Sequence, residues 1–167
     1  GVTQAEVEQY YASLADPADP RPVSWGLNSK VMKVDGKVTE IPWKSGGLYG
    51  QAIDKIVYWL EKARDVALSE TQKNELDLLI SYYRSGDLKT WDEYNVVWAG
   101  NTELSVDYIN GFIETYGDPM GMKATWEAVV DYKDSEASKR TALITENAQW
   151  FEDHSPVDPQ YRKEKVT

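Results

Sequence analysis

The spacing of apolar residues predicts two long amphipathic helices in the middle of the chain. From Leu48 to Ala67, apolar residues recur every three or four positions, which is the period of one helix face. The stripe consists of Leu48, Ala52, Ile53, Ile56, Val57, Leu60 and Ala63. The second stripe consists of Leu76, Leu79, Ile80 and Tyr83. Gly86 follows it, and glycine is typical of a helix end because it accepts a left-handed backbone.

Three capping boxes mark further helix starts. In each one, a Ser or Thr is followed three residues later by Glu or Gln, so that two free backbone N–H groups at the helix start gain acceptors. The boxes lie at residues 3–6, 69–72 and 90–93. With a last amphipathic stretch near the end of the chain, the predicted helices span approximately residues 4–14, 48–67, 69–86, 90–98 and 135–152.

Two stretches alternate between apolar and polar residues, which is the period of a β-strand. Residues 29–43 contain Asp35-Gly36, a dipeptide typical of a tight hairpin turn. Residues 108–116 and 122–132 flank the turn sequence GDPMG and predict a second hairpin. The resulting order is helix, hairpin, three helices, hairpin and helix. It predicts an α+β fold, with helices packed on antiparallel hairpins in one domain covering residues 1–167.

The second hairpin carries acids within its apolar pattern. Alternation predicts one face of its first strand to consist of Tyr108, Asn110, Phe112, Glu114 and Tyr116. Glu127 lies in the second strand, on a face with Val129 and Asp131. Two interpretations of Glu114 remain open: a solvated or lysine-paired strand residue, or an acid that faces a cleft and binds a substrate ammonium group. The same alternatives apply to Glu127, because the sequence does not fix the register between the strands.

Composition narrows the chemistry. The 18 Lys and Arg against 28 Asp and Glu give a net charge of −10, which disfavours nucleic acid and anionic membranes and favours cationic groups such as a peptide amino terminus. The chain has no cysteine and a single histidine, His154, so it cannot build the common catalytic zinc sites by itself. No apolar run reaches the length of a membrane span and no signal peptide is visible, which predicts a cytoplasmic protein.

Several motifs together resemble the dipeptidyl-peptidase III family of zinc metallopeptidases. The most specific is GFIETYGDP at residues 111–119, which is followed by Gly121 and by Trp126-Glu127. Other matching stretches are SWGLN at residues 24–28, GGLYG at 46–50 before IVYWL at 56–60, and YYRSGDL at 82–88. They occur in the family's order along most of the chain. In overall sequence character, these stretches resemble bacterial members of the family more than animal members.

This resemblance implies a two-lobed exopeptidase that removes dipeptides from free peptide amino termini. In the family, one lobe carries an HExxGH helix and a further glutamate that bind zinc, and the other contains a β-barrel that forms the opposite wall of the cleft. The sequence contains no HExxGH. We therefore expect a fragment of the β-barrel lobe, from before the zinc motif, which has no metal or activity of its own and whose partners are the missing zinc-binding lobe and a peptide with a free amino terminus.

The resemblance also assigns roles by position in the motif. Glu114 resembles the acid that holds the substrate's amino terminus, and Tyr116 resembles a tyrosine that contacts the substrate or transition state. Glu127 resembles a further acid of the cleft, and Asn110 is a candidate because it directly precedes the family glycine. Two hypotheses of other classes stay open: a self-sufficient aromatic-rich module that binds peptide or glycan, and a hydrolase using Glu114, Glu127 and His154.

Overall fold

The elements of the computed structural model follow the predicted order. The structure describes residues 1–102 and 104–166. The helices within these residues are α1 (Gln4–Ala12), α2 (Gly50–Val66), α3 (Glu70–Ser85), α4 (Leu88–Gly100), α5 (Ser135–Glu146) and α6 (Ala148–Asp153). The strands are β1 (Ser29–Val34), β2 (Lys37–Pro42), β3 (Val106–Glu114) and β4 (Thr125–Tyr132). The α+β prediction is confirmed, and the described strands form two separate two-stranded sheets with no closed barrel.

The first hairpin forms as its turn dipeptide predicts. β1 and β2 are antiparallel, and Val34 lies opposite Lys37, so the loop consists of two residues. Asp35 and Gly36 both have positive φ, at 51° and 78°. This is the backbone of a type I′ turn, whose twist matches that of the paired strands.

The chain divides into two compact units. The first contains Gly1–Leu104 and Tyr108–Val129, and the second contains Ser105–Asp107 and Val130–Thr167. In the first unit, α3 packs against both α2 and α4. The core residues that these three helices contribute are Ile53, Val57, Leu60, Leu76, Leu79, Ile80, Tyr82, Tyr83, Leu88, Trp91 and Tyr94. All four candidate site residues also belong to the first unit.

The predicted apolar stripe of α2 is wider than the face that is buried. Ile53, Val57 and Leu60 are buried, whereas Ala52 and Ala63 are exposed. Leu48 precedes the helix, because α2 begins at Gly50. The buried face is narrow because α2 has one helical neighbour, α3, within its unit.

Two of the predicted capping boxes contain helix caps, and the third is wrong. The side chain of Thr3 accepts a hydrogen bond from the Glu6 N–H, and that of Ser69 accepts one from Gln72. The box at residues 90–93 does not open α4. Asp87 caps this helix instead, because its carboxylate accepts from the N–H groups of Lys89 and Thr90, the second and third residues of α4.

The second unit contains α5 and α6, which replace the single helix predicted for residues 135–152. The helix is interrupted at Asn147, whose φ and ψ are −103° and 13°. The Asn147 side chain donates to the carbonyl of Leu143, at 2.7 Å, so the amide closes the end of α5. His154 lies exposed at the end of α6, with its ring stacked on Trp150 at 4.3 Å between centroids. None of the described helices is long and apolar enough to cross a membrane.

Candidate functional site

The first unit holds β3 by packing on both faces of the strand. A Cβ placed on Gly111 would lie 2.2 Å from Cη2 of Trp91, so the indole ring occupies the space that a side chain would need. Phe112 is buried, and its ring lies 5.0 Å from that of Trp43. Phe112 shares its face with Asn110 and Glu114. That face of β3 is therefore partly core.

Asn110 is tied to the helical layer through a buried tyrosine. The Tyr83 hydroxyl donates to Asn110 Oδ1 at 2.5 Å. The indole Nε1 of Trp126 in turn donates to the Tyr83 hydroxyl oxygen at 2.8 Å. Tyr83 lies on α3 and is 0% exposed, so this bonded group connects β3, β4 and the centre of the core. Burial raises the pKa of Tyr83 well above its ordinary value, which keeps the hydroxyl protonated at neutral pH.

One threonine bonds both to the backbone of Glu114 and to the side chain of Glu127. The Oγ1 atom of Thr125 lies 3.3 Å from the backbone oxygen of Glu114 and 3.2 Å from Oε1 of Glu127. Both glutamates are half-buried. Among the ion pairs of the described residues, none involves either carboxylate. The interpretation of Glu114 as a lysine-paired strand residue therefore has no support.

Tyr116 is not a strand residue. β3 ends at Glu114, and Tyr116 lies beyond it with 86% of its surface exposed. The prediction that Tyr116 continues the face of Glu114 by strand alternation is therefore wrong. Within residues 1–102 and 104–166, the Tyr116 hydroxyl forms no hydrogen bond with the protein.

The connection between β3 and β4 is longer than predicted, because a side chain occupies its backbone donors. Oδ2 of Asp118 accepts from the N–H groups of Met120, Met122 and Lys123. Met122 was expected to start the second strand, but β4 starts at Thr125. Burial alone would raise the pKa of Asp118, but the three N–H donors and the charge of Lys123 together hold it below its usual value.

The SWGLN sequence anchors the hairpins to α3. Asn28 is buried, and its Nδ2 donates to the carbonyl of Gly86 at 3.0 Å. The carbonyl of Leu27 accepts from the Ala124 N–H just before β4, at 2.9 Å. The segment therefore fixes the position of β4 relative to the helices of the first unit.

A cavity of about 400 Å³ opens beside β3. Its walls are mainly apolar and aromatic, and Asn110 is the one polar residue that β3 contributes to them. They comprise Ser24, Leu27, Trp91, Tyr94, Asn95, Trp98, Ile109, Asn110, Phe112 and Ile113. Of the four predicted site residues, only Asn110 lines this cavity. The structure thus brings Asn110 to a cavity and places Thr125 between the backbone of Glu114 and the carboxylate of Glu127, while Tyr116 lies exposed beyond the end of β3.

Sequence reasoning missed the supporting residues. Tyr83 was assigned to an apolar helix stripe, and its hydroxyl gave no signal because its partners lie 27 and 43 residues further along the chain. The alternating pattern includes Thr125 as an ordinary strand residue and does not indicate the bonds of its hydroxyl. Within residues 1–102 and 104–166, no group of three or more His, Cys, Asp or Glu side chains is placed to hold a metal ion.

The first unit is therefore an α+β scaffold whose helices support a hairpin carrying acidic and amide groups, an arrangement suited to a cationic, hydrogen-bonding ligand. The model of peptidase family M49 matches residues 9–167, and the chain belongs to this family. This confirms the family predicted from the motifs.

The relatives agree with this assignment. The chain is 31% identical to dipeptidyl peptidase 3 of Dictyostelium discoideum over 119 residues, which cover 71% of this chain and 17% of that protein. It is 26% identical to the Homo sapiens dipeptidyl peptidase 3 over 119 residues, covering 71% and 16%. The chain thus spans less than a fifth of the length of these curated relatives.

Solved structures show the same fold. DPP III from Caldithrix abyssi superposes with a TM-score of 0.63 at 21% identity, covering 98% of this chain and 30% of that one. Dipeptidyl-peptidase III from Corallococcus sp. strain EGB gives a TM-score of 0.61 at 26% identity, covering 99% and 30%. The α+β arrangement therefore occurs within larger proteins of this kind.

Proposed function

We propose that the chain forms part of the substrate-binding wall of a zinc-dependent dipeptidyl peptidase, in the lobe that lacks the zinc ligands. Membership of family M49 and the names of the relatives support a peptidase. The small share of each relative that the chain covers supports a longer parent polypeptide. The described residues contain no group of side chains that could hold a zinc ion, so we assign the zinc site to the missing lobe.

Glu114 is the residue that we assign to the substrate's amino terminus. The observation that carries this assignment is a half-buried carboxylate at the end of a packed strand, with no ion pair among the described residues. A half-buried anion interacts more strongly with an ammonium group than a fully solvated one does. A carboxylate fixed in this way sets where the peptide begins, and hence which peptide bond reaches the reacting groups.

Glu127 and Asn110 extend the same wall. Glu127 adds a second negative charge to the hairpin that carries Glu114, which strengthens the preference for a cationic amino terminus over a neutral one. Asn110 supplies amide groups at the cavity beside β3. Tyr116 stays a candidate for substrate contact. Its ring is exposed, so the bound substrate would have to fix the position of the ring.

The test is Glu114→Gln in the parent polypeptide. The variant keeps the size of the side chain and removes its charge, so kcat/KM for a peptide with a free amino terminus should fall by about 10- to 100-fold. Bound zinc should stay at the wild-type level. Glu93→Gln is the matched control, because Glu93 is exposed on α4, and its kinetics should not change. Wild-type kinetics in the Glu114 variant would refute the assignment of Glu114 to the substrate's amino terminus.

The aromatic binding module is the second candidate. It is favoured by Tyr58 and Trp59 on α2, which are 51% and 68% exposed and contact each other edge to face. Calorimetry against peptide and glycan panels separates the two candidates. Saturable glycan binding that is lost in Trp59→Ala and unaffected by Glu114→Gln supports the module and counts against the peptidase wall.

A further inference from the structure

The bonds around Tyr83 have one direction in which the hydroxyl proton also finds an acceptor. An indole N–H can only donate, so the Tyr83 oxygen must accept from Trp126 Nε1. A phenol has a single proton, and the acceptor that the described residues offer it is on Asn110, 2.5 Å from the Tyr83 oxygen. The Asn110 atom that receives this proton must be the carbonyl oxygen, since an amide NH₂ group only donates. The orientation of the Asn110 carboxamide therefore follows from Trp126.

This direction leaves both N–H bonds of Asn110 available to a ligand. Among the described residues, Asn110 Nδ2 has no hydrogen-bond acceptor. Asn110 also lines the cavity beside β3. We propose that Tyr83 is a positioning residue that, with Trp126, holds the Asn110 amide so that its N–H groups donate to a backbone carbonyl of the bound peptide. This inference rests on the proposed peptide-binding function.

The location of Tyr83 suits this role. It lies on α3, which packs between α2 and α4, and it is fully buried. An amide on a strand is free to rotate by 180° about its last torsion unless a neighbour distinguishes oxygen from nitrogen. A hydroxyl held in a close-packed core makes that distinction without reorganisation when the ligand arrives.

The experiment compares Tyr83→Phe and Asn110→Asp in the parent polypeptide. The first variant removes the orienting hydroxyl. The second keeps an acceptor for the Tyr83 proton but has no N–H to offer a carbonyl. Each should raise KM by about tenfold, the effect of one lost hydrogen bond, and change kcat by less than about twofold. The double variant should raise KM no further than Asn110→Asp alone, because the two residues act on one bond.

A purely structural role for Tyr83 gives a different pattern. Its loss would then lower the fraction of active enzyme, and hence kcat, and its effect would multiply with that of Asn110→Asp; either result overturns the proposal. Tyr82→Phe is the matched control, because Tyr82 is equally buried and lies outside the bonds that join Trp126, Tyr83 and Asn110. It should leave KM unchanged.

A second readout does not depend on peptide cleavage. The Trp126 indole N–H signal in a ¹⁵N spectrum should move on Tyr83→Phe, because its acceptor is lost, and stay in place on Tyr82→Phe. An unmoved Trp126 signal would refute the bonded geometry whatever the enzyme does. Conversely, unchanged kinetics in Glu114→Gln together with the KM pattern above would reject the proposed role of Glu114 and retain that of Tyr83.

Discussion

The contact between Gly111 and Trp91 makes a quantitative prediction for Gly111→Ala. The added Cβ would lie 2.2 Å from Cη2, 2.8 Å from Cζ3 and 3.1 Å from Cζ2 of the indole. Trp91 has little room to move, because it is buried and its ring contacts those of Tyr82 and Tyr94 at 4.8 and 5.3 Å. Overpacking of this kind costs about 1–3 kcal/mol. Alanine in a strand regains about 0.5–1 kcal/mol over glycine, so from the middle of the two ranges we expect a net loss of about 1 kcal/mol.

Urea denaturation of the chain, followed by tryptophan fluorescence and by circular dichroism, measures this loss. Gly117→Ala is the control, because no heavy atom lies within 4 Å of a Cβ placed there, and its midpoint should stay near that of the wild type. Shortening the indole partner tests the mechanism directly. In a Trp91→Phe background, Gly111→Ala should cost less than in the wild type, since the outer indole atoms are gone.

Two results would refute this reasoning. The first is a Gly111→Ala chain that is as stable as the wild type, which would mean that the indole yields without cost. The second is an equal cost in both Trp91 backgrounds, which would place the destabilisation somewhere other than this contact. The result also bears on the site, because a displaced Gly111 moves the strand that carries Asn110 and Glu114.

Two further predictions concern carboxylates that accept backbone N–H groups. Because the folded state lowers the pKa of Asp118, its stabilisation is fully present above the unfolded value near 3.8 and is lost as pH falls through the lower folded value. Asp118→Asn should therefore cost up to about 1 kcal/mol at neutral pH, a small figure because solvent screens the group. That cost should vanish in acid, and a cost independent of pH in urea titrations would contradict this account. Asp87→Ala should cost about 1 kcal/mol through loss of the α4 cap, and Thr90→Ala less; the reverse order of denaturation midpoints would mean that the cap is misassigned.

Local signals in the sequence predicted the elements that local physics determines. Asp35-Gly36 specified the first hairpin, since only residues that tolerate positive φ at both positions form its turn. Thr3 and Ser69 specified helix starts, because the cap and its partners lie within one turn. Gly86 ended α3 with a φ of 74°, as a left-handed cap requires.

Competing local signals explain the wrong boundaries. Asp87 and Thr90 both have side chains that cap helices, and pattern alone does not rank a carboxylate above a hydroxyl three residues later. Asn147 interrupts an apolar periodicity that continues on both sides of it. β4 begins later than the alternating pattern predicts, because Asp118 accepts hydrogen bonds from the N–H groups of Met122 and Lys123, which would otherwise be available to the sheet.

The candidate site depended on tertiary structure in a way that the sequence did not reveal. The resemblance proposes Glu114, Tyr116, Glu127 and Asn110 as candidates, but it gives no reason for their environment. Their positions come from the packing of Gly111 on Trp91 and from the bonds of Tyr83. Both connect parts of the chain that only folding brings together.

The GFIE sequence separates these roles residue by residue. Gly111 and Phe112 pack on opposite faces of β3, against Trp91 and Trp43, and so fix the strand in the first unit. Glu114 lies two residues beyond Phe112, and Asn110 lies one residue before Gly111, so both polar groups flank the packed pair. A polar group placed directly on the packed pair would be buried at a cost, and one placed further away would gain no rigidity from it. The charge within this apolar strand is therefore compatible with a stable fold, because its neighbours carry the packing.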